Sequence, residues 1–292
     1  MNIAMELSMN QLTESASQPM VDRCLTLAVT SGKGGVGKSN LVVNLALHLA
    51  NAGKKVIVLD ADLGLANLDV LFGVRPQHTL HHVLSGRKKL LEVVLPVSKN
   101  LRLIAGGSGI ANLADLGQDM RNSFLDSLAH IRQYADVLLI DTGAGLSSNV
   151  IGFLHYADEV LLVSTPEPTA MADAYGVIKT LANSTQEFPK VSIVVNRAAS
   201  ATEGYGVSNR LIAVSRQFLK VEVNYKGFIL EDEAVSKSVR SQKPFVTLYP
   251  DCKASHCISR LVESWTGVVP KRSVKQGNGF LDTLIGLVTG KR

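Results

Sequence analysis

Short, nearly unbroken apolar runs recur along this chain, separated by longer stretches in which apolar residues return every three or four positions. The runs are Cys24–Thr30 (CLTLAVT), Lys55–Asp60 (KVIVLD), Leu101–Ile104, Asp136–Asp141 (DVLLID), Glu159–Ser164, Val191–Val195 and the shorter Phe228–Leu230. Continuous apolarity over so few residues marks a strand covered on both faces, as in a parallel sheet. The stretches between them have helical period: Asn40–Ala52, Asp119–Tyr134, Ser147–Tyr156, Thr169–Asn183, Ser208–Leu219, Glu233–Arg240 and Ala254–Trp265. Shorter helices fit Thr79–Leu84 and Lys88–Val93, while Ala61–Gly73 begins as a loop. Strand and helix in alternation predict an α/β fold, a doubly wound, mostly parallel sheet with helices on both faces. Ligands on such sheets bind at the C-terminal ends of the strands.

The alternation fills residues 23–270 as a single domain, with no internal repeat. Residues 1–22 are polar and mixed and are expected to form a flexible tail, with or without a short partner-binding segment. Residues 271–279 (KRSVKQGNG) read as a basic linker. In 280–292 (FLDTLIGLVTGKR), Phe280, Leu281, Leu284, Ile285, Leu287 and Val288 fall within an arc of roughly 160° at helical spacing. An amphipathic helix flanked by Lys and Arg suits a membrane surface; the competing expectation is a last helix packed on the core.

Composition narrows the class. With 46% hydrophobic residues the 292-residue chain can build a large core. A net charge of +5 is compatible with an anionic partner, membrane or nucleic acid, without choosing between them. The three cysteines, Cys24, Cys252 and Cys257, form no C-x-x-C pair, which points to a reduced, cytoplasmic protein and away from a metal-cluster site. No apolar stretch approaches the ~18 residues of a membrane span, and no secretory signal is expected.

The chemistry begins at Gly32-Lys33-Gly34-Gly35-Val36-Gly37-Lys38-Ser39, which fits G-x-x-x-x-G-K-[ST] at every fixed position between a strand and a helix. Glycines let successive backbone N–H groups turn toward phosphate oxygens, and the following helix, from Asn40, adds its positive end. Lys38 is expected on the outer phosphates and the Ser39 hydroxyl on Mg²⁺. The second glycine cluster, Gly106-Gly107-Ser108-Gly109, lacks a following lysine and reads as a connection.

Other polar residues cluster at strand ends. Asp141, followed by Thr142-Gly143-Ala144-Gly145, is placed to hold Mg²⁺, usually through water, with a glycine amide near the γ-phosphate. Asp60 and Asp62 suggest metal coordination and water positioning, or else a solvated loop end or helix cap. Asn196, beside Arg197, offers the donor and acceptor that a purine edge needs, or caps a helix.

Taken together, KGGVGKS with its extra Lys33, VIVLDADLGLANLDVLFG, VLLIDTGAG and the VVNR strand resemble the deviant-phosphate-loop ATPases related to MinD and ParA. The resemblance covers residues 24–267 or so, and with EPTAMADAYGVIK it is closest to the flagellar-number regulators FlhG and FleN. It implies ATP and Mg²⁺ as ligands and an ATP-bound homodimer. In that dimer Lys33 crosses to the second copy's phosphates, and Glu167 reaches its ribose. It implies that Asp62 orients the attacking water, that Asp60 and Asp141 lie near the metal, and that Asn196 and Arg197 line the adenine side. The partners implied are the inner membrane surface through Phe280–Arg292 and flagellar proteins: an FlhF-like GTPase, switch-complex proteins or a transcriptional activator. Partition-type DNA binding and division-site placement are the other outputs such a protein could have. Ser39 stands where the family more often has Thr, and residues 1–22 do not match the segment by which some flagellar members activate a GTPase.

Overall fold

The apolar runs pair edge to edge into one eight-stranded sheet. The computed structural model of the chain describes residues 24–62, 64, 66–107, 118–184 and 186–266. The expected tail over 1–22, the linker over 271–279 and the helix over 280–292 lie outside them. In chain order the strands are β1 (Leu25–Ser31), β2 (Val56–Ala61), β3 (Val94–Ser98), β4 (Leu101–Ile104), β5 (Val137–Ala144), β6 (Glu159–Ser164), β7 (Val191–Ala198) and β8 (Val223–Leu230). They lie in the order β3-β4-β2-β5-β1-β6-β7-β8, parallel throughout except for the β3–β4 pair at one edge. β1 is central, between β5 and β6, so the loop leaving its C-terminal end opens where the strand order diverges.

The helices are α1 (Lys38–Asn51), α2 (Leu68–Phe72), α3 (Leu80–Leu84), α4 (Gln118–Ile131), α5 (Ser148–Tyr156), α6 (Pro168–Ala182), α7 (Ala201–Val214), α8 (Glu233–Arg240), α9 (Phe245–Leu248) and α10 (Lys253–Thr266). Alternate strand residues feed separate cores on the two faces. Ala28, Ile57, Leu59 and Ile140 pack with α4 to α7, and Leu27, Val29, Val58 and Leu139 pack with α1 and α10. The doubly wound expectation therefore holds, helices on both faces included.

Three local expectations change, while the segment expected to begin as a loop does so before turning into α2. β3 is an additional edge strand. The helix expected from Ser208 begins at Ala201, where Ser200 caps it by accepting from Glu203 N at 3.2 Å. β8 starts at Val223 rather than Phe228. Among the described residues no helix is long and apolar enough to cross a membrane.

Opposite the ligand end, Glu159 is buried at the start of β6. It accepts hydrogen bonds from Ser192 Oγ (2.6 Å), Lys190 Nζ (3.0 Å) and Trp265 Nε1 (3.3 Å), tying α10 to the sheet.

Candidate functional site

After Ser31 the chain turns through Gly35 (φ 82°) and Gly37 (φ 91°), both left-handed, before α1 begins. At Gly37 space as well as torsion requires glycine, since a Cβ there would lie 2.3 Å from Asn196 Nδ2. At Gly32 a Cβ would meet the Asp173 backbone of α6 at 2.2 Å. α1 has no side-chain capping bond and no acidic residue in its first turn, so nothing competes for its anion-binding end. Gly34, Gly35, Gly37, Lys38, Ser39 and Asn40 line a cleft of about 610 Å³ with Asp62 and Arg197, while Val36 is buried beneath the loop.

Lys38 Nζ lies 2.6 Å from Asp141 Oδ1, and both groups are buried. Asp141 Oδ2 is buried with no hydrogen-bond partner. Burial pushes the Asp141 carboxyl up, while Lys38 and the Ser39 hydroxyl pull it the other way. Asp60 faces Asp141 across the β2–β5 register. Burial and then the Asp141 charge push Asp60 up to about 7. Its Oδ1 accepts from Asp62 N at 3.2 Å and its Oδ2 from Asn67 N and Leu68 N at 3.1 Å. Asp60 thus ties Asp62, just after β2, to Asn67 and Leu68 at the start of α2, and is no solvated loop end. Asp62 itself lines the cleft, beside Gly143, where a Cβ would sit 3.5 Å from its Oδ1.

Two groups of the expected set make contacts within this chain. The Gly145 N–H, expected near the γ-phosphate, donates to Ser31 O at 3.0 Å, because β5 runs on to Ala144 and holds this turn against β1. Lys33, expected to reach a second copy, is held by its own chain: Nζ is 3.2 Å from Glu167 Oε2 and 3.1 Å from Thr169 Oγ1.

A second cleft, of about 510 Å³, continues from the first past Gly37, Asn40 and Arg197. Asn196 Nδ2 donates to Val36 O at 2.7 Å and an Arg197 guanidinium N–H to Gly35 O at 3.1 Å, so both brace the loop while lining this cleft. Its far wall comes from Ile229, Asp232, Val235, Val239 and Phe245. These are functional candidates that the sequence reading passed over. The available signal was the acidic Glu231-Asp232-Glu233 directly after an apolar strand end.

A nucleoside triphosphate fits these residues. The loop and helix end suit phosphates, Lys38 supplies a buried cation, and the second cleft has room for a base. The orphaned Asp141 oxygen and the Ser39 hydroxyl suit a hydrated divalent cation. Among the described residues no group of three or more His, Cys, Asp or Glu side chains is arranged to hold a metal alone, so such a cation would draw on phosphate oxygens and water.

Comparison with known proteins places this geometry. A family profile described as "ParA: NUBPL iron-transfer P-loop NTPase" matches residues 22–266. The antiactivator FleN of Pseudomonas aeruginosa is 40% identical over 242 residues, 82% of this chain and 86% of that protein. The flagellum site-determining protein YlxH of Helicobacter pylori is 35% identical over 258 residues, 85% of this chain and 86% of that one. Among solved structures, the MinC:MinD complex of Aquifex aeolicus superimposes with a TM-score of 0.68 at 26% identity, over 84% of this chain and 96% of that one. MinD of Pyrococcus horikoshii with Mg-ADP gives 0.66 at 23%, over 82% and 95%.

Proposed function

The chain belongs to the ParA/MinD family of P-loop ATPases, and from that premise we propose that it is an ATP-operated switch controlling flagellar number and placement. The observation that carries the switch reading is the capture of Lys33 by Glu167 and Thr169 beside an otherwise complete phosphate cradle. A lysine already in place for the chain's own phosphates would suit a continuously turning enzyme. One parked on α6 suits an enzyme whose site is completed by a second copy.

In this reading the loop amides, Lys38 and α1's end bind the phosphates of ATP, and Arg197, Asn196 and the Phe245 wall enclose the base. Mg²⁺, held by Ser39 and through water by Asp141 with Asp60 behind it, would neutralise phosphate charge. Asp62 orients the water. On dimerisation Lys33 leaves Glu167 and stabilises charge developing on the other copy's phosphates, while Glu167 becomes free for the opposite ribose. Gly145 lets go of Ser31 if its amide is to meet the γ-phosphate.

The output would be weak membrane binding by one 280–292 helix, made firm when a dimer presents two. Tethering two weak anchors raises avidity by roughly 10²–10⁴-fold. Cytoplasmic when monomeric and membrane-bound when dimeric, the protein would then meet a flagellar partner. Similarity to FleN and YlxH supports the flagellar output over division-site placement. Counting flagella by electron microscopy in cells lacking and overproducing the protein tests this: numbers should rise without it and fall with excess. Unchanged counts in both would remove the flagellar reading.

A further inference from the structure

Asn44 is wholly buried in the middle of α1. A buried asparagine amide has to find partners for both ends. Its Nδ2 donates to Asn40 O at 2.7 Å, and its Oδ1 accepts from Val246 N at 3.0 Å. The first partner belongs to the opening turn of the phosphate-loop helix, where Asn40 edges both clefts. The second belongs to the start of α9, a helix whose N-cap is Pro244 and which has no side-chain cap of its own. Asn44 therefore supplies that cap from 202 positions away. The residue between Pro244 and Val246 is Phe245, which is buried and forms the far wall of the base cleft.

One side chain thus spans the two halves of the site. We propose that Asn44 is a positioning residue that fixes the base wall of the cleft to the phosphate-loop helix, so that recognition of base and of phosphate are coupled through it. The inference rests on the reading that the cleft takes ATP. Removing the amide leaves Val246 N–H without its acceptor and frees α9, with Phe245, to drift from the base. The loop amides and Lys38 keep their own supports.

The test titrates the full chain with ATP and with inorganic tripolyphosphate, Mg²⁺ present, by calorimetry. Asn44→Ala should weaken ATP about ten-fold, the loss of one buried hydrogen bond, while leaving tripolyphosphate nearly unchanged. Phe245→Ala should show the same split, and the double variant should bind ATP about as the weaker single does, because the two act on one element. Asn44→Ser, whose hydroxyl can still donate to Asn40 O but is too short to accept from Val246 N–H, should show the same loss of ATP preference as alanine, and it serves if the alanine variant fails to fold. Equal loss of both ligands, or full additivity with Phe245→Ala, would make Asn44 a structural residue only and overturn the proposal. Wild-type protein binding neither ligand would overturn the reading of the cleft and this inference with it. Wild-type binding with Asn44→Ala unchanged would overturn the role of Asn44 alone.

Discussion

Lys38 Nζ and Asp141 Oδ1 sit 2.6 Å apart at the floor of the phosphate cleft, and neither side chain is more than 8% exposed. A ligand that recruits Lys38 has to compete with a carboxylate already in contact with it. Nucleotide binding and the internal stability of the site are therefore linked through one lysine.

Lys38→Ala should abolish ATP binding and also destabilise the nucleotide-free chain by about 3 kcal/mol, since it strands a buried carboxylate. Adding Asp141→Asn should recover most of the stability and none of the binding. Denaturant unfolding beside ATP titration separates the two effects, and a single variant of undiminished stability would contradict the buried pair.

Lys33→Ala should behave in the opposite way. Its ion pair with Glu167 is exposed, so stability should change by under about 1 kcal/mol. ATP affinity should stay within about three-fold, while hydrolysis falls about 10²-fold or more, the usual cost of losing a group that acts on transition-state charge. Steady-state hydrolysis measured against protein concentration should be steeper than linear in the wild type, as a shared site requires.

Asp62→Ala should retain ATP binding, lose hydrolysis and accumulate as a dimer in ATP on size-exclusion chromatography. If the variant no longer binds ATP, Asp62 holds the ligand and does not position water.

Acid should loosen the sheet at its other end. Burial pushes the Glu159 carboxyl up, but hydrogen bonds from Ser192 and Lys190 and the Lys226 charge outweigh it and hold the carboxyl below its ordinary range. A depressed acid contributes stability above its unfolded pKa and loses it as pH falls through the folded value. Glu159→Gln should therefore cost about 1–3 kcal/mol at pH 7, and the deficit should shrink below about pH 4.5. Melting temperatures of both proteins from pH 7 to 3 would show converging curves; parallel curves would exclude the linkage.

A chain ending at Lys271 should no longer sediment with anionic liposomes in ATP, whereas the full chain should. Equal sedimentation would place the membrane contact elsewhere.

What the sequence disclosed follows from how strongly local chemistry dictates structure. β1, β2, β5 and β6 are continuous apolar runs with few alternatives, and the phosphate loop needs glycine torsions that few other sequences supply. The hidden elements each carry a local contradiction. β3 holds Pro96 and only partial burial, tolerable at a sheet edge. The start of α7 contains Gly204 and Gly206, poor helix formers, yet Gly204 is where Phe228 presses in: a Cβ there would lie 2.7 Å from the Phe228 Cβ. The Ser200-x-x-Glu203 capping pair announced that helix, and its glycines obscured it. The far wall of the second cleft was illegible for another reason. Phe245 comes to line one cleft with Gly37 only through tertiary packing, and no spacing in the chain encodes that. The capture of Lys33 by Glu167, 134 residues on, is of the same kind.

The absence of a side chain at Gly32 lets the loop rest directly on the α6 backbone at Asp173. Backbone pressed on backbone has no rotamer to flex and no methyl to slide, so the contact has almost no slack. A side chain at Gly32 has no room against this backbone, and α6 begins beside Glu167, the residue holding Lys33. Gly32→Ala is therefore expected to push α6 and the phosphate loop apart, carrying the Glu167 end of the helix away from Lys33.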